Sequence, residues 1–229
     1  MAGTFGEGRI RGGGSLTGWM EPVPVSGMNF RTVFAGMGIA ISLAGAAAAD
    51  IAGTLSPTQL SQVKAGQMVV TQKDIPGGVW PQLTVYTLVN APVATVAAVF
   101  RDYDHAQDFQ PNLISAKVIS RPGPNVCDVE YTSKMPIFGS MVYTVQNTFN
   151  ESKDGVDVSW KLLKSPMADI SDGSLRVEPF GAGSILRYTN YVKPKSSIAI
   201  VARGAALGEV KNTVAALKAE AEKRAKAGQ

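Results

Sequence analysis

The chain has 229 residues, of which 45% are hydrophobic and 17% are charged, the proportions of an ordinary globular protein. Its formal net charge is only +4, and its Lys and Arg residues are spread along the sequence rather than gathered into a basic stripe. Composition and charge therefore argue against nucleic-acid binding.

The first informative segment begins at Met28, where a short basic lead precedes an apolar run over residues 33–43 and a small-residue tract that ends at Ala49. This order is typical of a signal peptide. A membrane-spanning helix needs about 20 apolar residues, a length that this run barely reaches. We therefore expect cleavage before Asp50 and a periplasmic or secreted protein. Residues 1–27 carry no periodic pattern, and we expect them to be disordered or to follow from a mis-assigned start codon.

The predicted elements of the remaining chain begin with a short helix over residues 57–64, capped by Ser56. A strand over 67–73 follows, and a Pro-Gly-Gly turn leads to a second strand over 83–90. Helical spacing over 92–110 then predicts a pair of short helices.

From Leu113 the chain is predicted to form an antiparallel meander, because each apolar run is bounded by Gly, Pro, Asn or Asp. Apolar and polar residues alternate, so that Val129 and Tyr131 face one side and Glu130 the other. One face of such a sheet needs a cover. The six strands are predicted over residues 113–120, 125–135, 140–150, 156–163, 170–178 and 184–192.

The cover is predicted at the C-terminus, where a helix begins at Ser196 or Ser197 and continues to about Lys226. Its spacing indicates one apolar face. The residues of that face are Ile200, Leu207, Val210, Val214, Leu217 and Ala221.

This order of elements resembles the helix-grip fold of the START-like (SRPBCC) superfamily, most nearly its polyketide cyclase/dehydrase and coenzyme Q-binding type. The likeness spans residues 83–226. It implies an α+β fold in which a curved antiparallel sheet of about seven strands wraps around the C-terminal helix, after a short N-terminal helix and strand. The segments similar to family motifs are NAP at 90–92, VFRDY at 99–103, FQPNL at 109–113 and PFGAGSILRY at 179–188.

The resemblance also implies a cavity between sheet and helix, which many members use for sterols, quinones or other lipids. Gly204 and Gly208 lie mid-helix, where each costs about 1 kcal/mol relative to Ala, and we interpret them as keeping room beneath the helix. Close helix-on-sheet packing is the alternative. The chain is thus divided into a leading stretch, a signal peptide, a helix-and-strand extension and a START-like ligand-binding domain, over residues 1–27, 28–49, 50–82 and 83–229.

Strand parity and the helix pair predict which residues surround this cavity. Asn147 and Asn190 share the parity of apolar residues, so they bond each other or the backbone, or they orient the polar end of a ligand. The tip over residues 134–139 is unusually apolar for a loop. It is interpreted as a portal flap, as a membrane-touching loop through residues 135–138, or as core over the cavity mouth. The expected ligand-binding residues are Phe100, Phe109, Tyr131, Met135, Phe138, Met141, Tyr143, Asn147, Trp160, Leu175, Leu186, Tyr188, Asn190, Gly204, Leu207 and Gly208.

No catalytic residue, metal site or cofactor is expected. His105, the only histidine, lies in a polar loop without a G-x-S-x-G nucleophile elbow elsewhere, and the three aspartates of that loop lack the Gly and Glu of a calcium site. We therefore expect a monomer that binds or transports an apolar small molecule or lipid. One alternative is a cyclase or dehydratase-like enzyme using Arg187 and Tyr188, and another is a structural partner protein with a filled core.

Overall fold

The structure is a computed structural model that describes residues 50–135, 139–195 and 199–228. The expected signal peptide, the stretch before it and Phe138 lie outside the described residues, as do the side chains of Met135 and of residues 199–202 and 205–207. Within the ranges described, no helix combines the length and the apolar character needed to cross a membrane.

Eight antiparallel strands form one curved sheet in the order β1-β2-β8-β7-β6-β5-β4-β3. The strands are β1 Val69–Lys73, β2 Gln82–Val89, β3 Leu113–Gly123, β4 Val126–Met135, β5 Gly139–Ser152, β6 Gly155–Lys164, β7 Ala168–Phe180 and β8 Gly183–Pro194. The helices are a 3-10 turn Ala52–Thr54, then α1 Pro57–Lys64, α2 Val93–Arg101, α3 Ala106–Phe109 and α4 Ala199–Ala227.

The predicted α+β helix-grip fold is confirmed, with one refinement in the number of strands. The N-terminal strand β1 pairs with β2 and therefore belongs to the same sheet as the other seven. Several strands also run further than their apolar alternation indicates. The β7–β8 pairing, for example, continues to Ala168 opposite Pro194, because backbone hydrogen bonds extend a hairpin beyond its alternating core residues.

The inner face of the sheet is the face that carries the main core, with Val85, Val158 and Leu175 among its buried residues. The second half of α4 packs on it through Val214 and Leu217, which are 0% and 1% exposed. This is the cover that the apolar face of the C-terminal helix predicted.

Polar contacts fix the second half of α4 at the end of the sheet where β2 meets α2. Lys218 Nζ donates to the Leu88 carbonyl at 2.7 Å, and the Asn90 backbone N–H donates to Glu222 at 2.9 Å. Charge-assisted bonds to backbone groups are stronger than neutral ones. They hold the helix in one position along the sheet.

The outer face of the sheet, opposite the inner face, is covered in part by the N-terminal extension. Ile51 and Val63 are fully buried there in a second cluster with Val69 and Ile185. The sequence predicted this extension as helix and strand, but not that it covers the sheet.

A buried ionic network ties the extension to the outer face. The Glu178 carboxylate, 6% exposed, accepts from the Ile51 backbone N–H at 2.8 Å and from Arg176 Nε at 2.9 Å. Arg176, 7% exposed, also pairs with Asp157. A buried carboxylate needs such partners because its desolvation is costly.

Replacing Arg176 tests this network. Arg176→Met is expected to destabilise the protein by about 3–5 kcal/mol, because it leaves the Glu178 charge buried without a cation. Guanidinium denaturation followed by circular dichroism measures the loss. The double variant Arg176→Met/Glu178→Gln should recover most of it, and a double variant as unstable as the single one would show that the charge is not the cause.

Candidate functional site

One row of inner-face residues crosses most of the sheet and holds both predicted asparagines. Asn147 lies on β5 and Asn190 on β8, so three steps of ~4.8 Å, about 14 Å in all, separate them. They do not bond each other, which removes one of the alternatives left open by the sequence. In register order the row contains Cys127, Asn147, Trp160, Gly173, Asn190 and Leu83.

Trp160 can occupy the middle of this row because Gly173, its partner on β7, has no side chain. A Cβ added to Gly173 would lie 2.2 Å from an indole ring carbon of Trp160 and 2.3 Å from the Thr189 carbonyl oxygen, far inside van der Waals contact. The indole therefore lies over Gly173. Its ring centroid is 4.9 Å from that of Tyr188 and 6.0 Å from that of Phe100.

Three tyrosines face one another on the inner face beside this row. The rings of Tyr131 and Tyr143 stack with their centroids 5.3 Å apart. Tyr188 lies close enough that Tyr143 raises the pKa of Tyr188. Burial is the largest cause of the raised pKa of all three phenols, yet each residue is only half-buried by surface area. The part of the inner face that these three half-buried rings border is called the inner-face recess below.

The amide of Asn147 is the most deeply buried polar group of the row. The residue is 2% exposed, and its Nδ2 has no hydrogen-bond partner among the described residues. Such a group is rare in folded proteins, where buried donors are nearly always paired.

The other predicted site residues occupy several different environments. Phe100 and Phe109 are half-buried against the main core, and Met141 and Asn190 are half-buried on their strands. Leu175 and Leu186 are 0% exposed and lie within the core. The Met135 and Leu207 side chains and Phe138 fall in the undescribed parts noted above.

The two helix glycines lie on the exposed side of α4. An added Cβ at Gly204 or Gly208 meets no described atom within 4 Å. A period of 3.6 residues aligns them with Lys211 and Ala215, which are also exposed. Room beneath the helix therefore does not account for these glycines.

The residues of the enzymatic alternative lie on opposite faces of the sheet. Tyr188 belongs to the inner face, whereas Arg187 shares a register row with Arg176 and Tyr86 on the outer face. Adjacent strand residues always alternate in this way. The two side chains cannot act on one substrate within the inner recess.

Inner-face residues that are absent from the expected ligand-binding residues are Leu162, Tyr103 and Phe149. Leu162 is half-buried against the core, and Tyr103 and Phe149 are buried in it. Tyr103 stacks edge-on to Tyr131 and accepts a hydrogen bond from Cys127 Sγ at 3.5 Å. The parity of Val158 and Trp160 would have found Leu162, but Tyr103 follows α2 in a turn without periodicity.

Two surface grooves lie beside α2 and include the inner-face residues Val156 and Tyr103, one in each. One of about 580 Å³ runs between α2 and the β5–β6 turn and includes Ala97, Arg101 and Glu151, with Arg101 and Glu151 paired across it. The other, of about 390 Å³, is bordered by Lys117 and Arg121. Neither holds a predicted site residue.

His105 belongs to an ion-pair chain. Its Nδ1 lies 2.8 Å from Asp102, whose other carboxylate oxygen is 2.8 Å from Arg224 on α4. The hydrogen bond to Asp102 raises the pKa of His105. Burial raises the pKa of Asp102, but hydrogen bonds from His105 and Arg224 outweigh burial and lower it overall.

Residues 81–222, more than half of the chain, match the family model described as polyketide cyclase / dehydrase and lipid transport. The chain belongs to this family. The resemblance to the START-like superfamily is thereby confirmed. No curated protein matches the sequence.

Solved structures of START-like proteins share the fold of this family member at low identity. A STAR-related lipid transfer protein from Xanthomonas axonopodis is 14% identical, with a TM-score of 0.60 over 67% of this chain and 93% of its own. The human StarD13 lipid transfer and protein localization domain is 16% identical, with a TM-score of 0.57 over 67% and 83%. The Zhui aromatase/cyclase from Streptomyces sp. R1128 is 13% identical, with a TM-score of 0.50 over 70% and 94%. At these identities the likeness concerns the fold.

The His105 ion pair gives a direct titration test. Because this is the only histidine, NMR titration should report one imidazole pKa, above the ordinary value of about 6.5, and Asp102→Asn should bring it back toward that value. The raised pKa means that the pair stabilises the fold below pH 6.5 and that this contribution is lost as pH rises through the folded-state pKa. An imidazole pKa that Asp102→Asn leaves unchanged would contradict the contact.

Proposed function

We propose that this family member binds an apolar small molecule or lipid in the inner-face recess and carries or senses it without chemical conversion. The observation that supports this most is the aromatic lining formed by the half-buried Tyr131, Tyr143 and Tyr188 together with the buried Trp160. Ligand sites are mostly apolar and aromatic, with a few fixed polar groups. Asn147 supplies such a group.

The protonation states of the lining favour binding over acid–base catalysis. Burial raises the pKa of the tyrosines above the ordinary value near 10, so they remain neutral at physiological pH. A neutral phenol can donate a hydrogen bond but cannot serve as a general base. Because Arg187 lies on the outer face, it cannot act together with Tyr188 in the recess, and this favours binding over the cyclase alternative.

Purification from the native host tests the proposal without knowledge of the ligand. Native mass spectrometry of detergent-free protein should show a complex heavier than the bare chain, and organic extraction should release an apolar compound. A bare chain that also fails to take up the neutral fluorescent probe Nile red would contradict ligand binding.

Two neighbouring leucines provide a matched pair for locating the site. Leu162 is half-buried on the inner face, whereas Leu163, 47% exposed, points to the outer face. Leu162→Trp should fill the recess and weaken Nile red binding about tenfold or more, equivalent to about 1.4 kcal/mol. Fluorescence titration measures both variants, and thermal unfolding verifies that each folds.

Leu163→Trp adds the same indole on the other side of the sheet and should bind Nile red within about twofold of the original protein. Equal binding by the two variants, whether strong or weak, would mean that the probe site is not on the inner face.

We also propose that the protein acts in the periplasm or outside the cell, as the signal-peptide pattern over residues 28–49 indicates. Ile51 is fully buried and its backbone is held by Glu178, so cleavage before Asp50 would keep every described contact of the extension. N-terminal sequencing of host-purified protein should therefore yield Asp50. A cytoplasmic protein that retains residues 28–49 would contradict export.

A further inference from the structure

The surroundings of the Asn147 side chain are almost entirely apolar. On its own strand the neighbours on the same face are Val145 and Phe149, 5% and 6% exposed. Cys127 and Trp160 lie directly opposite on the adjacent strands. An amide in such a position is costly unless its donors and acceptor are paired.

The described protein groups leave part of this amide unpaired. The Asn147 amide lies close enough to the Tyr131 hydroxyl to lower the pKa of that phenol against the larger, opposite effect of burial, but the contact lacks the geometry of a hydrogen bond. A primary amide has two N–H donors and an acceptor oxygen, more than one hydroxyl satisfies. Nδ2 has no partner of acceptable geometry among the described residues.

The missing acceptor should be uncharged. Burial raises the pKa of Tyr131, Tyr143 and Tyr188, which means that ionised groups are disfavoured here. The guanidinium groups of Arg176 and Arg187 lie on the outer face. Arg101, which packs on the Phe149 ring, is already paired with Glu151. A bound carboxylate or phosphate beside the phenols would therefore find no free guanidinium among these three.

We propose that Asn147 donates a hydrogen bond from Nδ2 to a neutral carbonyl-class oxygen, such as that of a ketone, ester or amide, on the molecule bound in the recess. This inference rests on the ligand-binding function proposed above and adds the chemical class of the ligand. It makes Asn147 a specificity-determining residue. An otherwise identical molecule without the oxygen leaves the donor unpaired and binds less tightly.

The test uses 9-fluorenone and fluorene, two neutral tricyclic probes of the same size that differ in a carbonyl against a methylene group. Delipidated protein should bind fluorenone about tenfold more tightly than fluorene, the ratio expected for one buried hydrogen bond. Infrared spectroscopy should show the carbonyl band of bound fluorenone at lower frequency than in hexane. Both compounds are titrated by isothermal calorimetry.

Asn147→Leu keeps the side-chain volume and removes the donor. It should bind the two probes equally, keep the affinity for fluorene within about twofold, return the carbonyl band toward its hexane position, and melt no lower than the original protein. Asn147→Val, a β-branched residue suited to strands, replaces it if the Leu variant does not fold. The matched control is Gln146→Leu, which removes an amide bonded to Asp128 at 2.8 Å on the outer face and should keep the tenfold ratio.

The outcomes separate this inference from the function on which it rests. Fluorene binding without preference for fluorenone would overturn the role of Asn147 and leave ligand binding intact, and would mean that the amide holds a water molecule only. A preference that survives Asn147→Leu would overturn it as well. Binding of neither probe by the original protein would overturn both proposals.

Discussion

The packing of the second half of α4 on the inner face is the constraint on which the remaining structure depends. Val214 and Leu217 are buried against the centre of the sheet, and Lys218 and Glu222 fix the helix through backbone groups at and just after the end of β2. Apolar burial attracts the helix to the sheet but does not fix its orientation. The ionic contacts of Lys218 and Glu222 fix its position.

Near the β6–β7 turn, away from the end of the sheet where Lys218 and Glu222 hold α4, the pairing of the strands changes. There the paired register of β6 and β7 ends at Trp160 and Gly173, and the Leu162 backbone N–H donates instead to the Asp172 side chain at 3.3 Å. Tyrosines and one unpaired amide border the same region. The part of the sheet that packs on Val214 and Leu217 and the part with polar groups are thus separated along the strands.

Much of the fold follows from periodicity in the sequence. The alternation around Val129 and Val158 identifies inner-face positions correctly, and the C-terminal apolar face identifies the cover. The outer-face cover was missed because α1 is a helix of eight residues with a single buried one, Val63. A better signal lies in β8, where Ser184, Ile185 and Leu186 are buried in succession, since a strand without alternation has both faces covered.

The candidate site was less predictable because parity gives the face of a residue but not its neighbours. Parity placed Asn147 and Asn190 together on the inner face, whereas only the strand order β8-β7-β6-β5 reveals that two strands separate them. Helical spacing alone could have shown that Gly208 aligns with Lys211. The unpaired Nδ2 depends on three-dimensional packing that no sequence pattern records.

The lack of a side chain at Gly173 limits how the proposed recess could change size during evolution. A methyl group there would press against both the indole and a main-chain oxygen, and the main chain has little freedom to retreat. The ring would have to swing away from the sheet into the space that a guest molecule needs. The capacity of the proposed recess is therefore governed by a position that contributes no side-chain atoms to its wall.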